Sequence, residues 1–350
     1  MGADSLTATI QNPDSSRPSR VSILGACVNE GQDWFTGVEK APEAFRKAGI
    51  VKVIEGLGYS VNDLGDVDLH SNEDPDAPRL SQEDRTGISG YIKNVSKLGS
   101  SCGELHKRIR DEAPQTDFML TLGGDHSIAA GTISAMRQSK KDMAVVWVDA
   151  HADCNTPETS PSGNFHGMPV GLLLGWFKRL PHSSFEWILS YLENPLPERH
   201  FAFIGLRDVD EREKDLLRRS NILVYSMIDV ERLGIARVME EILEQISPNN
   251  SRPIHLSFDI DGMDPEIAPG TGTRAKGGLT YREGRYICTR LAETGSLCSM
   301  DLVEVNPTID MFDELIRPDH GDNPNVVAKT SVTVKLGIDL IEFALGKTLT

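Results

Sequence analysis

Asp149, His151, Asp153 and Asn155 occupy alternate positions in the stretch VDAHADCNTP, directly behind the apolar run Met143–Val148. In an extended chain, residues two apart share a face. The spacing therefore gathers two carboxylates, an imidazole and an amide at the end of a buried strand. Ionised carboxylates are costly to bury without counter-charge, and each raises the pKa of the next. A bound cation removes that cost.

Three more apolar runs end in the same kind of residue. Phe118–Leu122 leads into GGDHS with His126, Pro253–Phe258 into DID with Asp259 and Asp261, and Ser299–Val303 into Glu304. Singly these are weak signals: DxD pairs are common in turns, and a lone His255 inside an apolar strand reads as a hydrogen-bonded core residue. Together, two imidazoles and four carboxylates from three strand ends make a hard, oxygen-rich donor set. Such a set suits Mn²⁺ better than zinc, which prefers four ligands with nitrogen and sulfur among them. Six protein ligands are too many for one ion with an open position. They suit two ions bridged by carboxylates and held roughly 3.5–4 Å apart, a geometry that activates water.

Positioning these groups requires a sheet. Eight short apolar runs recur, at Val21–Gly25, Tyr59–Leu64, Phe118–Leu122, Met143–Val148, Phe201–Gly205, Ile222–Tyr225, Pro253–Phe258 and Ser299–Val303, with helix-length patterns between most of them. In Asp229–Ile246 apolar residues return every three to five positions, and Ser226 with Asp229 reads as a capping pair at its entrance. Strand alternating with helix predicts an α/β fold, a three-layer sandwich around a central, mostly parallel sheet of about eight strands. In such sheets ligands bind beyond the carboxyl ends of the strands, where the polar residues above fall. No linker or repeat interrupts the pattern, so residues 21–350 read as one domain. Residues 1–20 read as a flexible tail, and the Asp/Pro-rich stretch at 70–85 as a surface excursion.

Composition narrows the function. The chain has 350 residues, 39% of them hydrophobic, and a net charge of −16 from 52 acidic against 36 basic residues. That balance disfavours a nucleic-acid partner. Five cysteines without paired spacing argue against a disulfide framework or a structural zinc site. No apolar stretch reaches the roughly 20 residues that span a bilayer, and the opening lacks a secretory core. A soluble protein without a membrane partner is expected, in the cytosol, with the mitochondrion as the alternative.

The motifs GGDHS, DAHADCN, SGNFHGMP (Ser162–Pro169), GLRDVD (Gly205–Asp210), SFDIDGMDP, GTGTRAKGGLTYREG and EVNP resemble those of the arginases, in the manganese-dependent ureohydrolase family. The resemblance runs from about Ser22 past Pro307. It implies two Mn²⁺ per subunit, one held by His126, Asp149, Asp153 and Asp259, the other by Asp149, His151, Asp259 and Asp261. It also implies hydrolysis of L-arginine to L-ornithine and urea, by hydroxide attack on the guanidinium carbon. Asp153 would move the proton, His166 would act as proton shuttle at the mouth, and Glu304 would orient the guanidinium. Asn155, Ser162 and Asn164 would hold the α-carboxylate, Asp210 with Glu213 the α-ammonium, and Thr273 would line the pocket. Cys154 would pack behind the metals. Tyr281–Gly284 matches a segment that joins subunits in the family, and a homotrimer is the expected assembly. DWFTGVE (Asp33–Glu39) replaces a more Gly-rich loop, and a terminal helix is expected over Val326–Leu345. An agmatinase-like hydrolase and a metal-binding member without turnover are the alternatives. Metal-dependent deacetylases share a related fold but not the combined GGDHS and DAHAD pattern.

Overall fold

The computed structural model describes residues 20–32, 36–67, 91–310, 312–315 and 328–348. Residues 1–19, 33–35 and 68–90, which take in the tail up to residue 19, the start of the altered loop and the whole 70–85 excursion, lie outside the described residues.

All eight expected strands form, within two residues of their expected bounds. They are β1 (Arg20–Ala26), β2 (Ser60–Asp66), β3 (Phe118–Gly123), β4 (Ala144–Val148), β5 (Phe201–Leu206), β6 (Leu223–Ser226), β7 (Ile254–Asp259) and β8 (Leu297–Val303). They make one sheet in the order β2-β1-β3-β8-β7-β4-β5-β6, and every pair is parallel. β3, β4, β5, β7 and β8 are buried along their whole length, as strands covered on both faces must be.

Eleven helices of varied length connect the strands among the described residues: α1 (Ala41–Lys47), α2 (Ile50–Gly56), α3 (Val95–Glu112), α4 (Ala129–Ser139), α5 (Pro169–Leu173), α6 (Leu189–Leu192), α7 (Glu211–Arg219), α8 (Met227–Leu233), α9 (Ile235–Ile246), α10 (Tyr281–Glu293) and α11 (Val332–Ala344). Two apolar cores result. One holds Phe45 of α1, Ile242 of α9, Ile287 of α10 and Leu340 of α11 against Val146 and Phe258. The other holds Leu105 of α3 and Ile133 of α4 against Trp147 and Phe203. Neighbours Val146 and Trp147 thus serve opposite layers, as period-two alternation requires, and the three-layer α/β sandwich follows.

Two expected helices differ. Asp229–Ile246 is α8 and α9, divided at Gly234, whose φ of 77° leaves the helical region. Ser226 and Asp229 do form the reciprocal capping box. The terminal helix begins at Val332, capped by Ser331, because Ala328–Ser331 pairs antiparallel with Phe312–Leu315 as a separate ribbon, β10 with β9.

Register aligns the functional end of the sheet. Leu122, Leu302, Phe258, Val148 and Ile204 are successive partners across β3, β8, β7, β4 and β5. The polar motifs begin within three residues of that row.

Candidate active site and metal centre

Beyond β3 the chain turns through Gly123 and Gly124 into a short 3₁₀ turn, His126–Ile128, capped by Asp125, whose Oδ1 accepts from Ser127 N at 3.0 Å. The turn aims His126 across the sheet end. Its Nδ1 lies 3.2 Å from Asp149 Oδ2, 3.2 Å from Asp153 Oδ2 and 3.1 Å from Asp259 Oδ2. Nε2 is 2.9 Å from Ser257 Oγ, and the ring stacks on Trp147 with centroids 3.9 Å apart. The indole fixes the neighbouring carboxylate too, its Nε1 donating to Asp149 Oδ2 at 2.9 Å. Outer contacts of this kind set ligand orientation in metal sites.

His151 faces a second group. Its Nδ1 is 3.4 Å from Asp149 Oδ1 and 3.1 Å from Asp261 Oδ2. Two clusters with metal-ligating geometry result, one of His126, Asp149, Asp153 and Asp259 and one of Asp149, His151 and Asp261. Asp149 belongs to both, one oxygen to each. Asp259, expected as a second bridge, belongs to the first cluster alone, its Oδ1 accepting from Asp261 N at 2.8 Å.

The electrostatics of the cluster ask for cations. Burial opposes ionisation of Asp149, but the two imidazoles outweigh it and hold its carboxyl well below the usual range. Burial, then the Asp149 charge, pushes Asp153 up to about 6. Burial and the Asp261 and Asp149 charges push Asp259 well up. Burial works against protonation of His126 and His151, yet the carboxylates around them raise both. Four buried carboxylates and two imidazoles aimed among them match the donor set of two hard divalent ions.

Backbone conformation supports the same spot. Asp153 at φ 49° and Glu304 at φ 60° are left-handed, a region that costs a non-glycine residue about 1–2 kcal/mol and that recurs at functional sites. Glu304 N donates to Gly124 O at 2.9 Å, and its carboxylate is held by two donors: His126 N reaches Oε1 at 2.9 Å and Gln32 Nε2 reaches Oε2 at 3.4 Å. His166 Nδ1 stands 3.6 Å from Glu304 Oε1. Burial lowers His166, but Glu304, Asp153 and Asp125 outweigh that and lift it to about 9.

These groups open onto a cavity of about 270 Å³ lined also by Asn155, Ser162, Asp210, Glu213 and Thr273. Asp210 caps α7, its Oδ1 accepting from Arg212 N and Glu213 N. Glu213 closes the capping box and accepts from Cys154 N at 3.1 Å. Burial, then the Asp153 and Asp210 charges, pushes Glu213 up to about 8. Cys154 is buried in the core behind the cluster. Asn164 is not on the cavity wall: it is 4% exposed, and its Oδ1 accepts from Lys93 Nζ at 3.0 Å.

Ser160, Asp208, Gln32 and Lys93 are residues the motifs did not single out. Ser160 and Asp208 line the cavity; Asp208 sits inside GLRDVD and Ser160 just before SGNFHGMP, so proximity in sequence was the available signal. Gln32 and Lys93 reach the site from distant segments and carried none. His255, read as a core residue, is fully buried with Nδ1 2.8 Å from Ser299 Oγ and Nε2 3.2 Å from Asp301 Oδ2.

Comparison with known proteins agrees with this geometry. The Arginase family model matches residues 19–316. The arginase of Schizosaccharomyces pombe is 40% identical over 329 residues, covering 94% of this chain and 93% of that protein. The hepatic arginase of Aquarana catesbeiana is 44% identical over 298 residues, 84% of this chain and 87% of its own. Among solved structures, the arginase of Bacillus caldovelox superposes with a TM-score of 0.78 at 34% identity, covering 95% of this chain and all of that one. The Entamoeba histolytica arginase, solved in complex with L-ornithine, superposes at 0.75 with 29% identity, covering 95% of this chain and all of that one. A shared parallel sheet, the His/Asp clusters at its carboxyl edge and a family match across most of the chain lead to one conclusion: this chain belongs to the arginase family.

Proposed function

We propose that the chain hydrolyses L-arginine to L-ornithine and urea in this cavity, with two Mn²⁺ per subunit. The observation that carries the reading is the convergence of two His/Asp clusters sharing Asp149 with Glu304 on one acidic cavity. His126, Asp149, Asp153 and Asp259 would hold one ion, and Asp149, His151 and Asp261 the other. Bound there, the ions would supply counter-charge to the carboxylates and lower the pKa of a bound water.

The remaining work falls to side chains. Glu304 offers a carboxylate, already steadied by His126 N and Gln32, to the planar donor fork of the guanidinium. Asp153, whose Oδ2 lies 3.2 Å from His126 Nδ1, can take a proton from the attacking water and pass it to the departing amine nitrogen. His166, lifted to about 9, carries a proton at neutral pH and can deliver it at the mouth. Asp210, backed by Glu213, meets the α-ammonium. Asn155 and Ser162 meet the α-carboxylate, with Asn164 behind them. Agmatine lacks the α-carboxylate and keeps only the ammonium.

Urea release measured with added Mn²⁺ on arginine and on agmatine tests the reading. Arginine is expected to be much the better substrate. Comparable rates on agmatine overturn the substrate assignment, and no urea from a fully metallated protein overturns turnover.

A homotrimer is part of the same proposal. Tyr281 and Arg282 are exposed at the start of α10, while Glu283 is engaged in the Thr280 capping box. Light scattering is expected to give three times the 38.4 kDa chain mass; a monomer mass removes this part.

A further inference from the structure

The cavity has an unbalanced lining. Seven carboxylates (Asp153, Asp208, Asp210, Glu213, Asp259, Asp261 and Glu304) and two histidines face it, and among the described residues no lysine or arginine does. Such a wall suits guanidinium and ammonium groups, and the lining residues assigned to a substrate's α-carboxylate, Asn155 and Ser162, are neutral donors.

Positive charge reaches that wall from behind. The backbone turns at Gly163, whose φ of +74° and contact with Tyr91 suit glycine, and carries Asn164 behind the wall, where its N–H donates to Oγ of the lining residue Ser162 at 3.1 Å. Lys93 grips both residues. Its N–H donates to Gly163 O at 2.9 Å and its ammonium to Asn164 Oδ1 at 3.0 Å. An ammonium only donates, so the contact fixes the amide with oxygen toward Lys93 and the NH₂ group left to donate elsewhere. A cation on the oxygen also polarises the amide and strengthens those N–H donors. Lys93 is half-buried and Asn164 buried, so its charge is screened less than at an exposed site.

We infer that Lys93 is the positioning residue that gives this site its preference for ligands bearing an α-carboxylate, acting through Asn164. The inference rests on the arginine reading and deepens it.

The test is calorimetric binding of L-ornithine and of putrescine, the same diamine without the carboxylate, to the Mn²⁺-loaded protein. Lys93→Met is expected to weaken ornithine about tenfold, equivalent to about 1.4 kcal/mol, and to leave putrescine unchanged. Lys93→Arg should restore most of the loss. Asn164→Asp, which neutralises Lys93 in place, provides a second route should Lys93→Met not fold, with the same selective loss expected. Equal weakening of both ligands, or none, overturns the inference. Urea release by the wild type separates the two ideas. Turnover of arginine without a selective loss in the variants sinks the role of Lys93 alone, whereas Lys93-dependent ornithine binding without urea sinks the arginine reading alone.

Discussion

Asn155 Nδ2 donates to Asp210 Oδ2 at 2.8 Å, so the residues assigned to the two opposite charges of an amino-acid head group are bonded to each other. Asp210 also caps α7. Replacing it with alanine would mix substrate recognition with the loss of a helix cap, about 1 kcal/mol. Asp210→Asn keeps the capping oxygen and removes the charge. It is expected to lower kcat/KM for arginine about 10–100-fold, the usual range for losing a charged hydrogen-bond partner, and to leave residual use of 5-guanidinopentanoate, which is arginine without its α-ammonium, near the wild-type level. Equal losses on both substrates would refute the ammonium assignment.

Metal removal should cost stability as well as activity, because the four clustered carboxylates then lose the counter-charge of the ions. A ligand at about 100 times its Kd adds about 2.7 kcal/mol per site. Chelation is expected to lower Tm by several degrees, with recovery on adding Mn²⁺. An unchanged Tm in protein shown by elemental analysis to be metal-free would mean that the clusters do not hold ions.

Asp153→Asn separates holding metal from moving protons. Asparagine tolerates the left-handed φ of 49° at this position, and its amide oxygen can still face His126. Two metal ions are expected at high Mn²⁺, with turnover reduced about 10²–10⁴-fold, as when a general acid–base group is deleted. A metallated variant working at close to the wild-type rate would take the proton-transfer role away from Asp153.

Away from the site, His106 should make stability sensitive to acid. Burial, reinforced by Arg110, pushes its imidazole down to about 4. Ser134 Oγ donates to Ala130 O at 2.6 Å and so accepts from His106 Nδ1 at 2.8 Å, leaving Nε2 as the position for an incoming proton. A depressed folded-state pKa means that the unfolded chain takes the proton first. The stabilisation is full above the ordinary value of 6.5 and is lost as pH falls through about 4. His106→Gln is expected to show a shallower loss of denaturation free energy than wild type between those limits. Parallel curves would show that His106 does not titrate in this way.

Much of this architecture is legible in the sequence because its signals are local. The eight strands show as apolar runs bounded by turn residues. The DAHADCN ligands announce themselves through the two-residue period of an extended chain, and the Ser226–Asp229 box spans a single turn. Each signal lies within a few residues and needs no knowledge of what packs against it. The α8–α9 division was missed because apolar periodicity continues across Gly234, and only the backbone angle shows the break.

Strand order belongs to the tertiary structure. Nothing near Glu304 says that β8 inserts between β3 and β7, yet that placement brings its carboxylate against the amide of His126, 178 residues away in sequence. The same holds for Gln32 on Glu304, for Lys93 behind Asn164 and for the engagement of Asp259 Oδ1 by the Asp261 amide. The residue types and their local spacing determined which chemistry this chain can perform. The crossover connections and the packing of two helical layers decided which groups meet, because contacts between distant segments depend on how all the strands order at once and leave no mark on the spacing within any one of them.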